Sequence, residues 1–436
     1  MTNVLVTQEK PVAEMLRRAG QARFDAVGYP GPKDEDWRFT PVQPIAQTEW
    51  CAAPAPGDDR GATPQPTAEE LAAFEFGHPD WHTLVFVDGA FSETLSSALD
   101  ALPEGVVVAS LADALGRDGH PAGAALEAHL GRHATVETTP FAALNAARFG
   151  DGAVVLVPAG VELERAVHLV CVTTAAAAGA AVHTRNLLVV GRAARASVVE
   201  SYVTLAPEAR SFTNVVTEVV VEAGAWLEHT RLQREGEAAY HVGLTYADQA
   251  RDSHYRHFSL QMGAAMGRHD HQVRLNDENV ESLMYGLYLT RGEQVVDNHT
   301  AIFHDQPNCR SWEVYKGILE GRSRAVFNGK VFVQPAAQKT DAKQTNRNLL
   351  LSDGARVDTK PQLEIFADDV KCTHGATVGR LDQTALFYAR SRGVPAAEAQ
   401  RLLTYAFAAE VVEEVALEPV RAQLNRLVLG RLYGEA

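Results

Sequence analysis

The sequence predicts a mainly β fold: a right-handed parallel β-helix flanked by N-terminal and C-terminal helical domains. One observation is texture. From about Phe149 to Phe366 the chain is written in short runs rich in Val, Thr, Leu and Tyr (GAVVLVPAG, NLLVVG, NVVTEVVVEAG, LMYGLYLTRG), with Gly-bearing turns between them and no sustained helical period. The other is recurrence. RASVVES begins at 195, AWLEHTR at 225, RDSHYRH at 251 and NVESLMY at 279, steps of 30, 26 and 28 residues, and similar segments begin at 293, 323 and 355 after offset half-steps. A unit repeated at such a period can bury its apolar face only against its neighbours. The units therefore stack as rungs at roughly the 4.8 Å spacing of paired strands. A β-sandwich is the other all-β arrangement these runs allow.

The flanks read differently. Residues 1–145 open with a helical stretch from Pro11 (PVAEMLRRAGQARFDAVG), broken by the proline-rich GYPGPKDEDWRFTPVQPI. Residues 51–67 (CAAPAPGDDRGATPQPT) read as a mobile loop or linker, and HTLVFVDGAF and GVVVASLADAL as short strands with helices between them. The β-helix core is assigned to 146–378 and a helical domain to 379–436. There Asp382 is placed as an N-cap for QTALFYARSR, Gly393 as a left-handed C-terminal residue and Pro395 in the first turn of the next helix. That helix carries Leu402, Leu403, Ala406, Phe407 and Val411 on one face. Pro419 opens a last one, with Val420, Leu424, Leu427, Val428 and Leu432 on one side. Such helices either cap the open edge strands of a β-helix or dock a partner.

Composition narrows the function. The 436 residues, 46% of them hydrophobic, bury a large core and suffice for two or three domains. No run approaches the ~18 apolar residues of a membrane span, and the N-terminus shows no basic segment followed by an apolar one. Cys51, Cys171, Cys309 and Cys372 lie far apart without a CxxC, which excludes a disulfide framework or zinc ribbon and suits a reducing cytoplasm. A formal charge of -15 repels nucleic acid, leaving proteins and small ligands as partners. The GK at Gly329 and Lys330 lacks the rest of a phosphate-cradling loop, so the chain should not hydrolyse ATP.

Three stretches carry candidate ligands. In DDVKCTHGAT, Asp368–Thr377, an extended strand puts Cys372 and His374 on one face. Their Cα atoms are then roughly 7 Å apart, too far for a Cys–His dyad. Thiolate and imidazole both suit iron or zinc, but two ligands are half a site; the rest would come from elsewhere in the fold or from a second chain. The bland reading is a structural cysteine with an incidental histidine. HYRHFSLQMGAAMGRHDHQVRLNDENVES holds His254, His257, His269, His271 and Glu278, and its HDH followed by Glu resembles the metal motif of cupin barrels without the usual downstream histidine. VDNHTAIFHD, with Asp297, His299, His304 and Asp305, raises the same question. Packing or solvent-facing histidines are the plainer reading of both.

Taken together, YKGILEGRSRAVFNGKVFV and AQKTDAKQTNRNLLLSDGARVDTKPQLEIFADDVKCTHGATVGRLDQTALFYARSRGVPAAEAQRLLTYAFAAEVVEEV, spanning Tyr315–Val415, resemble the SufB/SufD family of iron-sulfur cluster assembly proteins. GLYLTRGEQVVDNHT and the early GYPGPKDEDWRFTPV extend the likeness more weakly. CTHGATVGRLD, the short N-terminal region and the scarcity of cysteines fit the SufD branch. The resemblance implies a non-ATPase scaffold subunit that pairs with a SufB-like chain and with two copies of the ABC-type ATPase SufC. It implies a transient iron-sulfur cluster at the SufB interface, with His374 as the favoured ligand on this chain and Cys372 beside it, and the sulfur-accepting cysteine on the partner. The helix bearing Leu402, Leu403 and Phe407 would dock the ATPase. Use of a reduced flavin, and self-pairing as a homodimer, stay open. Two readings from other classes remain: a polysaccharide-active β-helix enzyme using Asp368 and Asp369, and a purely structural partner without cluster ligands.

Overall fold

The computed structural model describes residues 10–53, 65–74, 76, 78, 80–97, 99 and 102–434; residues 54–64 of the Pro/Ala/Gly-rich stretch lie outside them. Sixteen strands build a β-solenoid of about eight turns. They are β1 (Ala153–Val157), β2 (Val167–Thr173), β3 (Ala180–Val190), β4 (Arg195–Thr204), β5 (Phe212–Val221), β6 (Trp226–Arg234), β7 (Tyr240–Gln249) and β8 (His254–Met262). They continue as β9 (Met266–Leu275), β10 (Glu281–Thr290), β11 (Val295–His304), β12 (Arg310–Leu319), β13 (Arg324–Val333), β14 (Asp341–Leu350), β15 (Arg356–Ile365) and β16 (Lys371–Gly379). Odd strands pair in parallel in one sheet and even strands in the other, so each turn contributes one strand to each. The recurrences at 195, 225, 251 and 279 are the even sheet, and the offset half-steps at 293, 323 and 355 are the odd one.

What repeats physically is a turn. Two residues before β4, β6, β8, β10, β12 and β14 the backbone enters the left-handed region, at Ala193, Gly224, Asp252, Asn279, Asn308 and Lys339, with φ of 55°, 67°, 58°, 61°, 62° and 66°. One of these is glycine and three are Asp or Asn, which visit this region readily, while Ala193 and Lys339 accept a cost of roughly 1–2 kcal/mol.

Inside, Val, Leu and Ala near the strand ends form the main apolar core, whereas the middle of the even sheet turns Glu200, His229, Gln233, His257 and Glu313 inward, all buried. On the outer face of the odd sheet lie α1 (Pro11–Val27) and α2 (Pro140–Arg148). They pack so closely that a Cβ on Gly20 would fall 2.5 Å from the Ala147 nitrogen. The GYPGPKDEDWRFTPV loop docks beside them: buried Trp37 lies under Arg268, 3.6 Å from its guanidinium carbon, and Arg268 is held by Asp297 at 2.8 Å.

At the C-terminus α3 (Gln383–Ser391), α4 (Ala396–Val412) and α5 (Glu418–Tyr433) follow. Asp382 caps α3 by accepting from the Thr384 amide at 2.8 Å, and Gly393 has a φ of 88°. Of the two alternatives for these helices, capping the edge strands or docking a partner, the first is not what the fold does. They lie along the flank, where Leu260, Leu287, Leu289, Ile318 and Leu349 present an apolar outer stripe to Val411, Val412, Val420, Leu424 and Val428. Among the described residues no helix is long and apolar enough to cross a membrane.

Candidate functional site at the open end

The last rung is left unpaired on one side. Among the described residues β15 pairs only with β13, and β16 only with β14. The Lys371 amide donates to Thr340 O at 2.8 Å. In a parallel strand backbone direction alternates, so the amides of Cys372, His374 and Ala376 face the open edge. Around it Phe366 and Val378 are 61% and 46% exposed, and an added Cβ on Gly375 would meet nothing within 4 Å. An edge this long, with apolar residues beside it, is a template for another strand.

Cys372 and His374 both point along the inward side of β16, in register with buried Ala342 and Gln344 of β14. Inward on the last rung means something different for each. Cys372 packs among Val331, Val333, Ala337, Ala342 and Ala367. Burial pushes its thiol pKa up, with the nearby Asp341 acting the same way against the Ala342 backbone hydrogen bond. A thiol so held is a poor thiolate donor at neutral pH. His374 has no rung above it and is exposed.

Register carries His374 down into the solenoid. One inward column runs His229, His257, Met284, Glu313, Gln344, His374, a residue per turn. Gln344 Nε2 donates to Glu313 Oε2 at 2.8 Å. Burial pushes Glu313 up to about 7, against hydrogen bonds from Thr300 and Gln344. Gly329 faces them from the odd sheet, and a Cβ there would lie 2.2 Å from Gln344 Nε2, so a larger residue would have to displace that side chain. Glu313 and Gln344 escaped the sequence reading; the alternation within WEVYKG and DAKQTN was the signal that could have found them.

The other candidates do not assemble as the motifs suggested. His254 stacks on Trp226 at the surface and Glu278 pairs with Arg251 at 3.1 Å, while His257, His269 and His271 meet inside the solenoid. His299 lies 3.1 Å from Asp297, His304 meets Ser311 at 2.8 Å, and Asp305 accepts from Arg274 at 2.6 Å, three separate contacts. Asp369 pairs with Lys339. Among the described residues no three His, Cys, Asp or Glu side chains converge to hold a metal ion as they stand. All four cysteines are free.

On α4 the buried residues are Ala399, Thr404, Ala408, Val411 and Val412. Phe407 folds back on the solenoid under Lys316 and Arg347, Leu403 is half-buried, and Leu402 is 49% exposed, close in sequence to Phe387 and Tyr388 of α3, the former 72% exposed. Of the three residues expected to dock a partner, Leu402 alone faces outward.

The chain is a two-sheet β-solenoid with an inward polar column and one open end. Residues 172–407 match the family model described as "SUF system FeS cluster assembly, SufBD core domain", and residues 1–169 match the "SufBD protein N-terminal region". The chain is 34% identical to the iron-sulfur cluster assembly protein SufD of Escherichia coli over 97% of its length and 95% of that protein's. It is 32% identical to an iron-sulfur cluster assembly SufBD family protein of Synechocystis over 98% and 91%, and 30% identical to SufD of Bacillus subtilis over 67% of each. The chain belongs to the SufBD family, and its role is in iron-sulfur cluster assembly.

Proposed function

We propose that this chain is a SufD-type, non-catalytic scaffold subunit that works in the cytoplasm, pairs through its open last rung with a SufB-like chain, and offers His374 to a cluster built between them. The observation that carries this is the unpaired edge of β16 with His374 exposed on its inward side. A partner strand laid on that edge would continue the even sheet, and its inward residues would stand next above His374, completing what is half a ligand set here. Imidazole binds iron as a neutral donor and releases it more readily than a thiolate, which suits a cluster in transit. Cys372, packed and protonated, supports the strand. The SufC-like ATPase would dock on the exposed surface around Leu402 and Phe387.

Ala376→Pro tests the pairing. Its amide faces the open edge, so proline removes no bond within the chain, and Gly375 before it tolerates the restriction proline imposes. The variant should keep its thermal stability and bind the SufB-like chain about tenfold more weakly or worse, a loss of about 1.4 kcal/mol. Unchanged affinity in a folded variant rules out edge pairing.

A further inference from the structure

Three histidines from both sheets meet in the solenoid interior with nitrogens left over. His257 lies on β8, and His269 and His271 on β9 face it. All are buried. The ring centroids are 4.2 Å apart for His257–His271, 5.5 Å for His269–His271 and 5.8 Å for His257–His269. Three imidazoles bound to one ion at about 2.1 Å would have ring centres about 5.2 Å apart at tetrahedral angles. The observed triangle brackets that value.

The hydrogen bonds select the free atoms. His269 Nε2 lies 3.0 Å from Thr245 Oγ1 and His271 Nε2 3.3 Å from Tyr255 Oη, while the Nδ1 of each has no partner among the described residues. Among the described residues both nitrogens of His257 are without a hydrogen-bond partner. Behind Tyr255, His229 Nδ1 lies 3.0 Å from its hydroxyl, and His229 Nε2 is 2.9 Å from Glu200. Metal-binding histidines are typically held this way, one nitrogen oriented by an outer hydrogen bond so that the other is presented to the ion. An empty, apolar explanation is poor, because each unsatisfied buried nitrogen costs about 1–3 kcal/mol.

We propose that His257, His269 and His271 form an internal site for one first-row divalent cation of the zinc or ferrous iron class, taken up as the solenoid folds. As the rings stand, the nitrogens do not converge. Convergence requires the rings to turn from where they stand, and among the described residues His257 has no side-chain hydrogen bond to break in turning. Charge limits the affinity. The buried neighbours Glu200, Glu235 and Arg231 sum to one negative charge, so a divalent ion leaves the interior one positive charge in excess.

The test is expression of the full chain in cobalt-supplemented and in metal-free medium, followed by EDTA to strip surface ions. One EDTA-resistant cobalt per chain is expected, with visible ligand-field bands of a nitrogen-rich site and a higher Tm than the metal-free protein. The triple variant His254→Gln, Cys372→Ser, His374→Ala removes the surface donors and should keep that cobalt. His269→Gln with His271→Gln should lower it to about a tenth or less. If the interior variant does not fold, the surface variant and wild type still decide. No EDTA-resistant cobalt in the folded wild type, a thiolate charge-transfer spectrum, or retention by a folded interior variant would overturn the assignment.

Discussion

At its N-terminal end the solenoid stops being parallel. Val107–Ser110 pairs antiparallel with β1, and His82–Val87, parallel to β2, is closed by the antiparallel Ala90–Ser92. Leu84, Phe86 and Val108 fill the rung beneath. At the other end β15 and β16 each have one neighbour among the described residues, and Phe366 and Val378 stand in the open. The chain has three further helices to spend after β16 and lays them along the flank. The contrast teaches that the open edge is a property of this chain's design and not a lack of covering material. Natural sheets cover or blunt such edges unless something pairs with them.

Unequal mutational costs at the two ends would sharpen the comparison. Phe86→Ala, in the packed rung of the closed end, should cost about 3–5 kcal/mol in urea unfolding. A loss below about 1 kcal/mol would mean that this end is as loosely held as the other.

Between the ends, Glu313 should make stability depend on pH. With its pKa pushed from 4.5 to about 7, both folded and unfolded states hold the proton at low pH. As pH rises between those values the unfolded state alone releases it, so stability falls, and above about 7 the loss is complete. The shift corresponds to about 3 kcal/mol. Glu313→Gln should therefore flatten the stability profile between pH 4.5 and 7 and raise the midpoint at pH 8. A profile identical to wild type would place the titration elsewhere.

The smallest effects belong to the open surfaces. Phe366→Ala and Leu402→Asp should each change folding stability by no more than about 0.5 kcal/mol. The first should weaken capture of the SufB-like chain and the second capture of the SufC-like ATPase, read by pull-down with each partner alone. Point variants are needed here, because removing everything after Asp382 would strip Leu260, Leu287 and Ile318 of their cover.

Much of this architecture was legible because strand composition and period survive in the text. The repeat is faint for a physical reason: its left-handed turn position is filled by Ala, Gly, Asp, Asn, Asn and Lys in turn, so no residue type marks it. Pairing Cys372 with His374 on one face was readable from strand alternation. Their different surroundings were not, since these depend on Val331 and Ala337 of earlier rungs closing over the cysteine. The apolar spacing of α4 was visible, but not which side it buries. Ala399 and Ala408 occupy the buried side and turn Leu402 outward. The histidines of RHDHQ were noticed, and their partner His257 is brought opposite by the second sheet.

The central claim is that His374 acts through chemistry at an edge the fold leaves open. Cluster yield in a complex reconstituted without oxygen from this chain and SufB- and SufC-like proteins, comparing His374→Ala with Cys372→Ser, tests it most directly. Assembly should be largely lost in His374→Ala, with complex formation and Tm unchanged, and mostly retained in Cys372→Ser, whose cost is packing. Full cluster yield in His374→Ala, or equal losses in both variants with lowered Tm, would contradict the account.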